Sequence, residues 1–124
     1  MKWTPILVVA AILIVIFLLK QTGQISVKDA LACLKNGALV IDVRSPGEFA
    51  SGHLPGAINL PLDELTTALP RRVPDKNQTL LLHCQSGMRS GIAKQKLKAM
   101  GYAYAYNLGS FSRAKDIVSN VDGN

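Results

Sequence analysis

Apolar and polar positions divide this chain into two unequal parts. Residues 6–19 form an unbroken apolar run of 14 residues with no polar face at helical spacing, so the run does not read as one side of an amphipathic helix. After a short polar stretch, residues 21–25, the pattern changes. Short apolar and β-branched segments at residues 38–43, 57–60, 79–83 and 104–107 predict strands. Longer mixed segments between them predict helices over residues 26–36, 62–69, 90–100 and 111–119, with one helical turn over 46–50. Ser26 and Asp29 resemble a capping box, and Gly37 and Gly101 follow two of the helices as end signals. Pro70 and Pro74 bracket a basic turn that holds Arg71 and Arg72. Strands alternating with helices predict an α/β fold, a mostly parallel sheet with helices on both faces.

The 14-residue run lengthens to 17 uncharged residues when counted from Trp3. At 1.5 Å per residue that is roughly 25 Å, against a hydrocarbon core of about 30 Å. The expectation is one N-terminal transmembrane helix, with residues 3–20 a membrane anchor, Trp3 at one interface and Lys20 reaching the other. A cleaved signal peptide is the rival reading, against which Leu18-Leu19-Lys20-Gln21-Thr22 offers no small-x-small site. Residues 21–25 then form a linker and residues 26–120 one domain. On this reading the protein is a single-pass protein of the cell membrane. Lys20, Lys28 and Lys35 after the run favour a cytoplasmic domain by charge count.

Composition narrows the partners. With 14 basic and 8 acidic residues the net charge is +6, which favours anions and membrane surfaces. Nucleic acid is not expected, because no nucleic-acid fold motif is present and aromatic residues are few. Two cysteines make no disulfide framework. Cys33 lies within a predicted helix and reads as a small core residue. Lys94 and Lys98 share a helix face, either a solvated face or a positive field that draws anions in. Tyr102, Tyr104 and Tyr106 alternate with alanines and read as one face of a strand.

The chemistry concentrates in Cys84-Gln85-Ser86-Gly87-Met88-Arg89-Ser90. A cysteine at a strand end, a short glycine-bearing loop and a helix start together favour a thiolate. Unpaired N–H groups and the helix dipole converge there, and the thiolate is the nucleophilic form. A buried, inert cysteine is the plain alternative.

Four residues separate Cys84 from Arg89. This resembles the active-site loop of the rhodanese family of sulfurtransferases. Cysteine-dependent phosphatases and arsenate reductases share the His83-Cys84 start but carry a loop one residue longer, and Ser90 stands where their arginine would be. A second block supports the resemblance: Asp42-Val43-Arg44, Glu48-Phe49, and Gly52-His53-Leu54-Pro55-Gly56-Ala57. The middle and end of the chain look most like small single-domain rhodaneses of the phage-shock type, a likeness that points to the periplasm.

The resemblance implies Cys84 as the catalytic nucleophile. Gln85, Ser86, Gly87, Met88 and Arg89 would bind substrate. Arg89 would hold the donor's oxygens or brace the loop through a carboxylate, and both remain open. Asp42, Arg44, Glu48 and His53 would form a supporting network, with Arg44 and Glu48 paired across a turn. The donor would be a small anionic sulfur compound such as thiosulfate, the acceptor a thiol or cyanide, with no cofactor and no metal. A non-catalytic persulfide carrier or partner-recruiting module is the alternative function. Asn107-Leu108-Gly109-Ser110-Phe111 stands where many relatives carry a Gly-Gly pair followed by a tryptophan, a departure that bears on C-terminal packing and on one pocket wall.

Overall fold

A computed structural model describes residues 2–121, with residues 18–22 described by backbone alone. Helix α1 runs Thr4–Thr22. The rest alternates: α2 (Val27–Lys35), β1 (Leu39–Asp42), α3 (Pro46–Ala50), β2 (Ile58–Asn59), α4 (Leu65–Arg72), β3 (Leu80–His83), α5 (Met88–Ala99), β4 (Ala105–Gly109) and α6 (Phe111–Asn120). The four strands make one parallel sheet in the order β2-β1-β3-β4.

Period-two alternation along the strands divides the core. Ile41, Leu80, Leu82 and Cys84 face one side, where Leu65 and Leu69 of α4 and Ala93 and Leu97 of α5 pack on them. Val40 and Leu81 face the other side and meet Ala30 of α2 and Ala114 and Ile117 of α6. Each side removes apolar area from water, at roughly 25 cal/mol per Å². β3 lies between two neighbours and is buried at every position. It is therefore a rigid platform for whatever follows His83.

Local sequence fixes the helix ends. The Ser26 hydroxyl accepts the Asp29 N–H at 3.1 Å and opens α2. Ser45 and Glu48 form a reciprocal capping box that opens α3. Helix α4 begins three residues later than the pattern predicts and carries Pro70 inside it. Its last turn continues past the proline, with the Val73 N–H donating to the Leu69 carbonyl at 2.7 Å. The tyrosines do not share a face. Tyr102 precedes β4, packs in the α4–α5 core and donates its hydroxyl to the Val73 carbonyl at 2.7 Å, whereas Tyr106 packs against the α2–α6 core.

The N-terminal expectation is corrected. Among the described residues no helix is long and apolar enough to cross a membrane, so the transmembrane anchor over 3–20 and the single-pass membrane location drawn from it do not stand. The physical reason is length: the 14 uninterrupted apolar residues rise about 21 Å, well short of a hydrocarbon core of about 30 Å. The side chain of Lys20, read as reaching an interface, lies outside the described residues. Beyond α1, Gln24 bridges to Asn107, and the Ile25 N–H donates to the Asn107 carbonyl at 2.9 Å. That segment is tied to the open edge of β4.

Candidate active site

In open α/β sheets, ligand sites lie beyond the carboxyl ends of the strands. Here those ends are Asp42 on β1 and His83 on β3, which sit side by side in register. Cys84 follows directly. The chain then turns through Gln85 and Ser86 to Gly87, whose φ of 96° is left-handed, and enters α5 at Met88. A glycine adopts that φ at no steric cost.

The turn aims donors at the sulfur. The Gly87 N–H donates to Cys84 Sγ at 3.0 Å, the Ser90 N–H at 3.4 Å, and the Ser90 hydroxyl lies 3.5 Å away. Cys84 is 0 % exposed, so these bonds form away from bulk water. Burial pushes the thiol up, but the Ser90 hydroxyl and the N–H groups of Ser90, Gly87 and Ser86 outweigh it. The thiol is held below its ordinary 9.0. The N-terminus of α5 adds its dipole from the same side. The sulfur is thus buried, with the main-chain amides turned toward it rather than away.

Arg89 does not point a free charge at the sulfur. Its guanidinium grips Glu48 with two bonds, Nη1 to Oε1 at 2.7 Å and Nη2 to Oε2 at 2.9 Å. The Arg89 bonds, then the Ser45 N–H, hold the Glu48 carboxyl down to about 2. This overturns the expected pairing of Arg44 with Glu48. Arg44 instead turns back on Asp42, with Nε to Oδ1 at 3.0 Å, Nη2 to Oδ2 at 2.8 Å and its own N–H to Oδ1 at 2.9 Å. This pair is buried beneath the loop. Arg44 Nη2 also donates to the Gly52 carbonyl at 2.7 Å, Nη1 reaches Gln85 Oε1 at 3.5 Å, and the guanidinium lies 4.5 Å over the Phe111 ring. A buried charge stays charged only with partners of this quality.

His53 is not drawn into the loop. It is exposed, stacks on Phe49 with ring centroids 3.8 Å apart, and bonds the Phe49 carbonyl through Nδ1 at 2.9 Å. Met88 is 75 % exposed at the loop's outer edge. His83 is fully buried on the opposite face from Cys84, edge-on to Phe111. Its Nε2 stands 3.7 Å from Asp42 Oδ2 and has no hydrogen bond. Burial, with Arg44 nearby, pushes its pKa below 6.5 against the pull of Asp42, so it is neutral at pH 7.

Two residues that sequence reasoning passed over belong to the site. Ser90, in the first turn of α5, supplies two of the donors to the sulfur. Asn107, on β4, accepts from the Ser90 hydroxyl at 2.7 Å and donates to the Gly87 carbonyl at 3.1 Å. The segment after it seats the loop from below. Ser86 bridges to Ser110, and the Phe111 N–H donates to the Gln85 carbonyl at 3.2 Å. The ladder between β3 and β4 slips here, with Leu82 opposite Asn107 but His83 opposite Gly109. Such irregularities re-aim side chains at the end of a sheet. Ser90 carried a sequence signal as a hydroxyl on the first turn of the helix that follows the cysteine, and Asn107 opens the segment that departs from the pattern of many relatives. Among the described residues no cluster of three His, Cys, Asp or Glu side chains is placed to hold a metal ion.

Similarity to known proteins extends over the domain that carries this site. The Rhodanese-like domain family matches residues 26–116. The chain is similar to the thiosulfate sulfurtransferase PspE of Escherichia coli, 44% identical over 77 residues, which are 62% of this chain and 71% of that protein. It is also similar to the thiosulfate sulfurtransferase GlpE of Pseudomonas entomophila, 34% identical over 73% of this chain and 81% of the relative. Among solved structures it resembles the human single-domain sulfurtransferase TSTD1, with a TM-score of 0.66 and 32% identity over 75% of this chain and 95% of the other.

Proposed function

We infer, for a chain that belongs to the rhodanese-like family, that Cys84 is the nucleophile of a sulfur transfer running through a persulfide. The chain is a rhodanese-type enzyme, in the company of relatives named thiosulfate sulfurtransferase. The specific assignments rest on the site. Residues 26–120 are the working domain.

In the first half-reaction the Cys84 thiolate attacks the outer sulfur of thiosulfate. A new S–S bond forms to Sγ, the donor's own S–S bond breaks, and sulfite leaves with that electron pair. Cys84 then carries a persulfide whose charge sits on the outer sulfur. In the second half-reaction an acceptor thiolate, or cyanide, attacks that outer sulfur. The persulfide bond breaks and the Cys84 thiolate returns. The cycle has no net demand for oxidant, reductant or cofactor.

The observation that carries this reading is the donor set on Sγ: the Gly87 N–H at 3.0 Å and the Ser90 N–H at 3.4 Å, both fixed by the turn into α5. Donors already in place cost no reorganisation as charge develops. The remaining N–H groups from Gln85 to Arg89 would receive the donor's oxygens, with Met88 shaping the mouth. Arg89, paired with Glu48, acts as the brace of the loop rather than as the oxyanion's partner. Asp42 and Arg44 support the loop from within, and Arg44 reaches it through Gln85.

The test is intact mass after thiosulfate treatment. The expected result is a gain of one sulfur atom at Cys84, lost on adding a thiol, and no gain in Cys84→Ser. A Cys84→Ser protein that transfers sulfur as fast as the parent would overturn the reading.

A further inference from the structure

The Ser90 hydroxyl has one proton and three acceptors within reach. Asn107 Oδ1 lies at 2.7 Å, the Gly87 carbonyl at 3.1 Å and Cys84 Sγ at 3.5 Å. Ser90 and Cys84 are 0 % exposed and Asn107 is 2 % exposed. Water therefore does not make up a bond that the hydroxyl withholds, and giving the proton to one acceptor takes it from the others. The shortest bond goes to Asn107, whose amide is itself oriented: Nδ2 donates to the Gly87 carbonyl at 3.1 Å, and Oδ1 also accepts the Gly109 N–H at 3.0 Å.

We propose that Asn107 is a positioning residue for the sulfur site, competing with Cys84 Sγ for the Ser90 hydroxyl proton. The proposal rests on the persulfide reading above. While Sγ is a bare thiolate, a hydrogen bond to it is charge-assisted and stronger than one to a neutral amide, so the hydroxyl turns to the sulfur. Once Sγ has bonded the transferred sulfur, the charge sits one atom further out and Sγ becomes a poor acceptor. The hydroxyl then returns to Asn107. One buried proton thus changes partner as the sulfur is loaded and unloaded, and Asn107 sets how readily it leaves. No covalent bond changes in this rearrangement.

The proposal makes opposite demands on two variants. Asn107→Ala removes the competing acceptor and frees the hydroxyl for the thiolate. The thiol midpoint, read as the pH profile of alkylation by iodoacetamide, should fall by about half a unit or more. Asn107→Asp keeps the size, gives up the Nδ2 bond to the Gly87 carbonyl and holds the Ser90 proton harder, and the midpoint should rise. Ser90→Ala alone should also raise it. In a Ser90→Ala background, Asn107→Ala should no longer move the midpoint, and the effect of Asn107→Asp should shrink. Circular dichroism and a thermal melt on each variant establish that it is folded. The near-isosteric Asp variant keeps the test decisive if the Ala variant does not fold.

A shift of equal size with and without the Ser90 hydroxyl would overturn the proposal, because Asn107 would then act through the Gly87 carbonyl and loop shape alone. An unchanged midpoint in both Asn107 variants would overturn it as well. Failure of the persulfide reading looks different. In that case the parent protein itself gains no sulfur from thiosulfate, whatever the variants do.

Discussion

Arg89 and Glu48 lie 41 positions apart in sequence and meet through two parallel bonds of 2.7 and 2.9 Å. Glu48 is fixed by Ser45 in the capping box of α3, and Arg89 is the second residue of α5. The pair therefore ties the loop after β3 to the segment after β1 by a planar fork that only arginine presents. Arg89→Lys keeps the charge and loses the fork. The pair is about a third exposed, so screening limits its worth to stability to about 1 kcal/mol or less. The melting temperature should move little, while kcat/KM for sulfur transfer falls about tenfold as the loop N–H groups lose their register. Thermal melts beside thiosulfate kinetics check both halves. Equal rates in the two proteins would remove Arg89 from the loop's support.

The same pair sets an acid limit. Glu48 is held down to about 2 in the fold, against 4.5 ordinarily. A lowered carboxyl stabilises the fold fully above its unfolded value, and that stability drains away as pH falls from about 4.5 toward 2. Urea unfolding midpoints of the parent and Glu48→Gln should converge across that window. Their separation should be constant at higher pH.

His83 acts in a different window. Its folded value lies below 6.5 because burial disfavours the imidazolium. Below pH 6.5 the unfolded chain takes up a proton that the folded one refuses, so stability is complete above 6.5 and declines as pH falls beneath it. His83→Gln should flatten the stability profile just below pH 6.5 and leave the Glu48 window intact. A parent profile already flat between pH 7 and about 5 would contradict the neutral buried imidazole.

Gly87 stands at φ 96°, and a Cβ there would come 3.3 Å from Gln24 Nε2. Gly87→Ala therefore meets backbone strain of about 1–2 kcal/mol and a tight contact. Relief of that strain rotates the 87 N–H off the sulfur. The thiol midpoint should rise, and alkylation at neutral pH should slow more than the melt alone suggests. An unaltered alkylation profile would show that this N–H contributes nothing to the thiolate.

Local signals that depend on neighbours in sequence were legible. The α2 cap at Ser26, the turn at residues 46–50, the four strands and the loop from Cys84 to Arg89 all follow from period, caps and glycine placement. The α/β architecture and the family resemblance follow with them. Partner choice among charges was not legible. Arg44 had Asp42 two residues back and Glu48 four ahead, and only the packed loop shows that Arg89 takes Glu48 instead. Asn107 read as part of an atypical strand end. Its place under the loop depends on the slipped ladder at Leu82 and His83, which no local pattern encodes. The tyrosine alternation misled because Tyr102 lies before β4 begins. The apolar N-terminal run counts 17 uncharged residues from Trp3 and so reads as an anchor, yet among the described residues no helix is long and apolar enough to cross a membrane.

The bridge between Ser86 and Ser110, with the Phe111 N–H on the Gln85 carbonyl, reaches beyond this one contact. A polypeptide cut just after Asn107 would retain Cys84 and each neighbour through Arg89, yet it would lack the floor on which their backbone rests. The smallest working fragment of this protein is therefore bounded by that floor, not by the reactive residues themselves.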